Sequence, residues 1–316
     1  MKAVILDATS LGQGISFESI ENQVEYLSIF DSSTPDELIE RIGENDCIIC
    51  NKTLLSSQLI EKCPQLRLIC VTATGLNNID LEAAERCGVT VCNVKDYAGS
   101  MVSQHAMGLI LMLAHNFPYY ISAAVDGTWS RAQEFCLFGQ DIHELEGKVI
   151  GILGYGAIGR KLAEKAKVFG MDVVLAELPG SRYQTKGPYA RIPLSKFLPQ
   201  VDVLSVHCPL TPETEGLIGL TQLRLMKPSA FLINTARGGI VNEAALATAL
   251  KDGLIAGAAL DVLSQEPPPI EHPLIAQEIP NLIITPHNSW AGQKTRQLIV
   301  EKTAENIKLF KKNCNY

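Results

Sequence analysis

The chain lacks any excess of basic charge. It carries 27 Lys and Arg against 34 Asp and Glu, a formal net charge of −7. A general nucleic-acid surface needs positive charge to meet phosphates, so no nucleic-acid partner is expected. Long apolar runs are missing too. No stretch approaches the roughly 20 residues of a membrane-spanning helix, so no membrane partner is expected. The nine cysteines are an odd number scattered without a framework. Cys47 and Cys50 make one C-x-x-C, but the run DCIICN reads as a buried strand. No second pair or close histidine completes a four-ligand zinc site, and no metal is expected. Free thiols imply a reducing, cytoplasmic setting. The opening MKAVILDATS has one lysine and soon meets Asp7. It is expected to be a first strand and not a signal peptide.

What is present is globular in character. Hydrophobic residues make up 47% of 316 and charged residues 19%. At roughly 100–200 residues per domain, two domains are expected. Short runs rich in Val and Ile alternate with helical patterns. Strands are expected at Ala3–Leu6, Cys47–Cys50, Leu66–Val71 and Val89–Val94, with helices over Pro35–Ile42 and Leu55–Lys62. A long helix should follow from about Ser100 to Ala123, with an apolar stripe at Met107, Ile110, Leu111 and Leu113.

A second series of strands is expected at Val149–Leu153, Val173–Glu177, Val203–His207, Phe231–Thr235, Ala256–Val262 and Leu282–Thr285. Its helices are expected over Ala157–Phe169, Leu220–Met226 and Glu243–Leu250. Continuous apolar strands with helices between them signify parallel sheets covered on both faces. The fold class is therefore α/β, with two doubly wound parallel-sheet domains. A final amphipathic helix, from about Ala291 to Lys312, has no strand left to cover and is expected to return to the first domain.

The run GILGYGAIGR places Gly154, Gly156 and Gly159 between a strand and a helix. That context separates a dinucleotide loop from a chance spacing. The first glycine permits a tight turn, the second lets backbone approach a pyrophosphate, and the third lets helix lie close on strand. The amides of Ala157 and Ile158 open the helix, where the dipole favours an anion. Glu177 ends the next strand, where a carboxylate can accept from both ribose hydroxyls and repel a 2′-phosphate. NAD is therefore favoured over NADP. Arg182, just beyond, is a flexible cation able to pair with that phosphate.

Three later segments carry ionisable groups at strand ends. Arg237 follows a strand in NTARGGIVNE and offers a planar fork to a carboxylate or ketone oxygen. Asp261 ends the next strand, and Glu266 precedes three prolines that stiffen its loop. His287 stands in TPHNSW after another strand, a candidate proton donor near neutral pH. Taken alone, each is better read as a surface ion pair, a solvated carboxylate or a satisfied histidine. Together they are equipment for hydride transfer to a keto acid, because ligands bind beyond the carboxyl ends of such strands.

These residues bring the chain to a resemblance. It resembles the D-isomer-specific 2-hydroxyacid dehydrogenases almost end to end. The matching segments are VTATGLNNID at 71–80, VSQHAMGLIL at 102–111, GILGYGAIGR, VHCPLTPET at 206–214, NTARGGIVNE, the Asp261…Glu266-Pro267 spacing and TPHNSW. GTWSRAQEFC at 127–136 and the tryptophan after His287 look most like the glycerate dehydrogenase/hydroxypyruvate reductase branch.

The resemblance implies a Rossmann NAD-binding domain, residues 100–288 with a helical dimerisation arm, inserted in a flavodoxin-like substrate domain, residues 1–99 with 289–316, and a cleft between the two. It implies that Arg237 binds and polarises the substrate, that His287 gives and takes the proton, and that Glu266 bonds the other imidazole nitrogen. Asp261 would orient the nicotinamide carboxamide. His207, Cys208 and Pro209, with Thr235 and Ala236, would line the cofactor. Thr74 and Gly75 would offer amides to the substrate carboxylate, and Asn51 and Lys52 would close the site. The implied partners are a small 2-keto or 2-hydroxy acid and a second copy of the chain. Formate dehydrogenases put glutamine where Glu266 stands, which argues against formate. An NAD-sensing corepressor of the same fold is the alternative from another class.

Overall fold

In a computed structural model the chain is described over residues 1–180, 189–276, 278–279 and 281–314. Arg182 lies outside the described residues. The chain divides into two compact units, Met1–Ala98 with Trp290–Tyr316, and Gly99–Ser289.

The first unit is built on five parallel strands: β1 (Lys2–Ile5), β2 (Tyr26–Ile29), β3 (Cys47–Cys50), β4 (Leu68–Val71) and β5 (Thr90–Asn93). They lie in the order β2-β1-β3-β4-β5. Successive side chains of a strand face opposite sides. Ile48, Cys50, Ile69 and Val71 therefore enter one core, and Cys47, Ile49, Leu68 and Cys70 the other. The second core is closed by the helix Gln293–Asn313, through Ile299, Val300, Ile307 and Phe310. Burial holds the Cys50 thiol well above its ordinary range, and the two cysteines of the C-x-x-C face opposite cores. β2 was not expected from the sequence. It is an edge strand whose residues are half-buried or exposed, so its apolar signal is weak.

The second unit holds seven parallel strands: β6 (Val149–Leu153), β7 (Asp172–Ala176), β8 (Arg191–Ile192), β9 (Val203–Val206), β10 (Phe231–Asn234), β11 (Gly257–Leu260) and β12 (Leu282–Ile284). Their order is β12-β11-β10-β9-β6-β7-β8. Phe231 and Ile233 face one core with Met107, Ile110 and Leu113, while Leu232 faces the other with Leu204 and Leu246. The expected long helix is two. Gly99–Ala114 ends where Asn116 turns left-handed at φ 50°, and Phe117–Val125 departs at 64° with a proline in its first turn. A helix interior does not tolerate a left-handed residue, so the apolar pattern continues while its direction changes. The stripe at Met107, Ile110 and Leu113 is core; the apolar face left exposed is Phe117, Ile121 and Val125, on the second helix.

Candidate active site

The glycine loop follows β6. Gly154 has φ 107°, and a Cβ there would stand 2.5 Å from the backbone of His207 and Cys208. A Cβ on Gly159 would run into the Gly154 carbonyl. Gly156 differs, since nothing lies within 4 Å of its Cβ direction. The loop thus presses against β9 at one glycine and opens outward at the middle one, at the start of the helix Ala157–Val168. This suits a phosphate group approached by backbone. Glu177, half-buried, directly follows β7 on the neighbouring strand.

His207 and Thr235 stand at the ends of β9 and β10. Nδ1 of His207 and Oγ1 of Thr235 are buried with no partner among the described residues. Buried polar groups normally find one, so these atoms fit a polar ligand beside the loop. Burial lowers the His207 pKa to about 4, so its ring is neutral, and Nε2 meets Ser205 Oγ at 2.9 Å. Burial also pushes the Cys208 thiol up to about 11.

Arg237, Asp261 and His287 follow β10, β11 and β12, three strands adjacent in the sheet. Arg237 is exposed on a turn held by Asn234, whose Nδ2 donates to the Arg237 carbonyl at 2.8 Å and whose Oδ1 accepts from the Ala236 amide at 3.0 Å. Asn234 is buried and was not singled out in the sequence, although an asparagine at a strand end is a recognised turn former.

His287 Nδ1 and Glu266 Oε2 are paired at 2.5 Å. Glu266 Oε1 also accepts from the Leu263 amide at 2.9 Å, so the carboxylate is held at both oxygens. His287 has φ 51°, a conformation a non-glycine residue adopts at a cost of roughly 1–3 kcal/mol. Asp261 offsets this. Its carboxylate accepts from the Thr285 hydroxyl at 2.5 Å, the Asn288 amide at 3.1 Å and the Ser289 amide at 2.9 Å. The buried Asp261 therefore clamps the turn on both sides of His287, a task the sequence did not suggest. His105 joins from the helix Gly99–Ala114, 3.1 Å from the Thr285 hydroxyl and 3.7 Å from Asp261.

In the first unit, Asn51 and Lys52 follow β3, and Thr74 and Gly75 lie just beyond β4. Asp7, at the end of β1, accepts from the backbone amides of Asn51, Lys52 and Thr53 and from the Thr53 hydroxyl, at 2.7–3.1 Å. The Thr74 hydroxyl donates to the Val94 carbonyl at 3.0 Å. Asp7 thus holds the turn after β3, a contact that spacing alone did not reveal.

A doubly wound sheet with a glycine turn, and an imidazole–carboxylate pair two strands from an arginine, define the class of dinucleotide-dependent oxidoreductases. The family model for the NAD binding domain of the D-isomer specific 2-hydroxyacid dehydrogenases matches residues 107–289. The glycerate dehydrogenase of Methylorubrum extorquens is 38% identical over 310 residues, 98% of this chain and 96% of that one. The hydroxypyruvate reductase of Blautia hydrogenotrophica is 34% identical, with 99% and 97% covered. Among solved structures, the TT0316 protein of Thermus thermophilus superposes with a TM-score of 0.85 at 31% identity, covering 97% of this chain and 96% of that one. An NADPH-dependent glyoxylate/hydroxypyruvate reductase of Sinorhizobium meliloti, in complex with NADP and malonate, superposes at 0.79 with 26% identity, covering 98% and 93%. The chain belongs to the D-isomer-specific 2-hydroxyacid dehydrogenase family. It is an enzyme, an oxidoreductase with an NAD-binding domain, and the corepressor alternative is not favoured.

Proposed function

We propose that this enzyme reduces a small 2-keto acid, hydroxypyruvate or glyoxylate, to D-glycerate or glycolate with NADH, and runs the reverse oxidation. The observation that carries the reading is the His287–Glu266 pair at 2.5 Å, beyond the strand next but one to that of Arg237. NADH supplies the hydride. Arg237 binds the substrate carboxylate and polarises the ketone with its planar fork. His287, whose Nδ1 is engaged by Glu266, donates a proton from Nε2 to the ketone oxygen and recovers it in oxidation. Glu266 orients the ring and balances the charge that the proton brings. The Thr74–Gly75 backbone, with Asn51 and Lys52, takes the acid's carboxylate.

Gly154, Gly156, Gly159 and the amides of Ala157 and Ile158 hold the pyrophosphate, and Glu177 the ribose. His207, Cys208, Pro209, Thr235 and Ala236 line the nicotinamide end, with Asp261 beside them. The carboxylate of Glu177 supports NADH over NADPH, since a 2′-phosphate would be repelled. Adding hydroxypyruvate or glyoxylate to enzyme and NADH should oxidise the cofactor, and faster than NADPH side by side. No turnover across a panel of small 2-keto acids overturns the reading.

The enzyme works as a homodimer in the cytoplasm. Phe117, Ile121, Val125, Trp129, Phe135 and Phe138 are between 41% and 89% exposed in one segment, an apolar surface that a second copy would cover. The Trp129 indole donates to the Phe135 carbonyl at 2.9 Å and keeps that surface folded. Light scattering should give twice the chain mass.

A further inference from the structure

The loop that carries Glu266 is anchored by a second carboxylate–histidine pair. Glu243 is the first residue of the helix Glu243–Lys251, capped by Asn242. Its Oε1 accepts from the Ser264 amide at 2.6 Å, and its Oε2 accepts from the Ser264 hydroxyl at 2.6 Å and from His272 Nε2 at 2.9 Å. The two side chains are 10% and 6% exposed, so these bonds form largely out of water. The Leu274 amide donates to His272 Nδ1 at 3.3 Å. With Nδ1 accepting from Leu274, Nε2 is the ring nitrogen that faces the Glu243 carboxylate. Glu243 and His272 grip the loop on both sides of Glu266.

A third contact ties this loop to the substrate arginine. A Cβ on Gly238 would run into the backbone of Leu263 and Ser264. Gly238 follows Arg237 directly, and the segment runs on to Glu243. The stretch bearing Arg237 and the stretch bearing Glu266 are therefore held in register by close backbone contact at one end and by the Glu243 carboxylate at the other.

We propose that Glu243 and His272 are positioning residues for the reaction: they set the height of the Glu266 loop, and through it the Glu266–His287 pair. The inference rests on the proposed keto-acid reduction, in which that pair handles the proton. Removing the clamp lets Glu266 withdraw from His287 Nδ1, so turnover falls, while the glycine loop after β6 and Glu177 after β7, proposed to hold the pyrophosphate and ribose, are untouched.

The test is a double-mutant cycle on the full-length enzyme, read as kcat for hydroxypyruvate with NADH. Glu243→Gln turns an amide N–H toward the His272 N–H and breaks the clamp. It should lower kcat about tenfold and leave NADH affinity within about twofold, the scale of loss when a supporting partner goes. In a Glu266→Gln background the same substitution should change kcat less than about twofold, because coupled residues do not act additively. His272→Leu should repeat the loss. His272→Gln, which still offers an N–H to Glu243, should restore most of it.

Equal losses from Glu243→Gln with and without Glu266 would overturn the proposal, as would His272→Gln and His272→Leu behaving alike. If Glu243→Gln does not fold, the two His272 variants in both backgrounds decide the same question. A wild-type enzyme without reductase activity, or a Glu266→Gln enzyme with unchanged kcat, would instead overturn the underlying functional reading.

Discussion

Two strand ends in the seven-stranded sheet solve the same backbone problem in opposite ways. After β6 the chain turns through a positive φ at Gly154, and after β12 through a positive φ at His287. At Gly154 the backbone crowds β9, and a side chain would only obstruct. Glycine carries that conformation without strain. At His287 the side chain is the proton donor of the proposed reaction, and a histidine occupies a conformation it disfavours. Asp261 and Thr285 hold the turn there, and Glu266 holds the ring. Where backbone does the binding, absence of a side chain suffices. Where a side chain does the chemistry, neighbouring residues must offset the strain.

The sharpest test of this contrast is His287→Gln. Ketone reduction should fall about 10³-fold, in the range for loss of a general acid, with NADH affinity nearly unchanged. Steady-state kinetics beside a fluorescence titration would check it, and loss of both together would reveal a merely structural histidine.

Gly154→Ala should show the reverse pattern. NADH affinity should drop roughly tenfold or more, since Ala is strained at positive φ and its Cβ meets the backbone of β9. The keto-acid KM at saturating NADH should move little.

A pH titration of stability addresses the cofactor side. The His207 pKa is lowered to about 4 from an ordinary 6.5, so the unfolded chain binds the proton first as pH falls. Stability from this group is present above pH 6.5 and is lost between 6.5 and about 4. Because His207 keeps some surface exposed, the loss should be about 1 kcal/mol, less than the full shift. His207→Gln should flatten that part of the curve of melting temperature against pH, whereas an unchanged slope would remove His207 as its source.

The smallest effect compares two inactive proteins. His287→Gly should be more stable than His287→Ala by about 1 kcal/mol, because only glycine is relaxed at that φ. Equal denaturation midpoints would mean that strain at the turn is no larger than the chain entropy glycine costs.

Much of the fold was legible because its signals are local. Val149–Leu153 appears in the structure with the bounds read from the sequence, and Cys47–Cys50 likewise. The glycine loop was legible for the same reason: three glycines within six residues, between a strand and a helix, state their purpose without distant partners. The helix break at Asn116 was not, because the apolar spacing runs through it while one residue's φ redirects the chain. The short edge strands β2 and β8 were missed, lacking the apolar run of a strand buried on both faces.

For the site, residue types at strand ends were visible while their partners were not. Arg237, Glu266 and His287 could each be named, yet each had an ordinary explanation until the others were counted. Asp261 was expected to face the cofactor; its carboxylate accepts from three groups of the His287 turn. His272 had no motif, and Glu243 no stated role, until the chain brought them within 2.9 Å.

By itself the sequence determined that two series of buried parallel strands would form, where three glycines would turn a strand into a helix, and which ionisable residues would stand at strand ends. These follow from side-chain periodicity and the freedom of glycine, which act within a few residues. Only the tertiary structure decided which acid meets which histidine. Glu266 and His287 are 21 residues apart, and Glu243 and His272 are 29. Each pair forms because β10, β11 and β12 lie side by side. Periodicity sets the faces of a strand, but the order of strands in a sheet is decided by how their covering helices and cores pack.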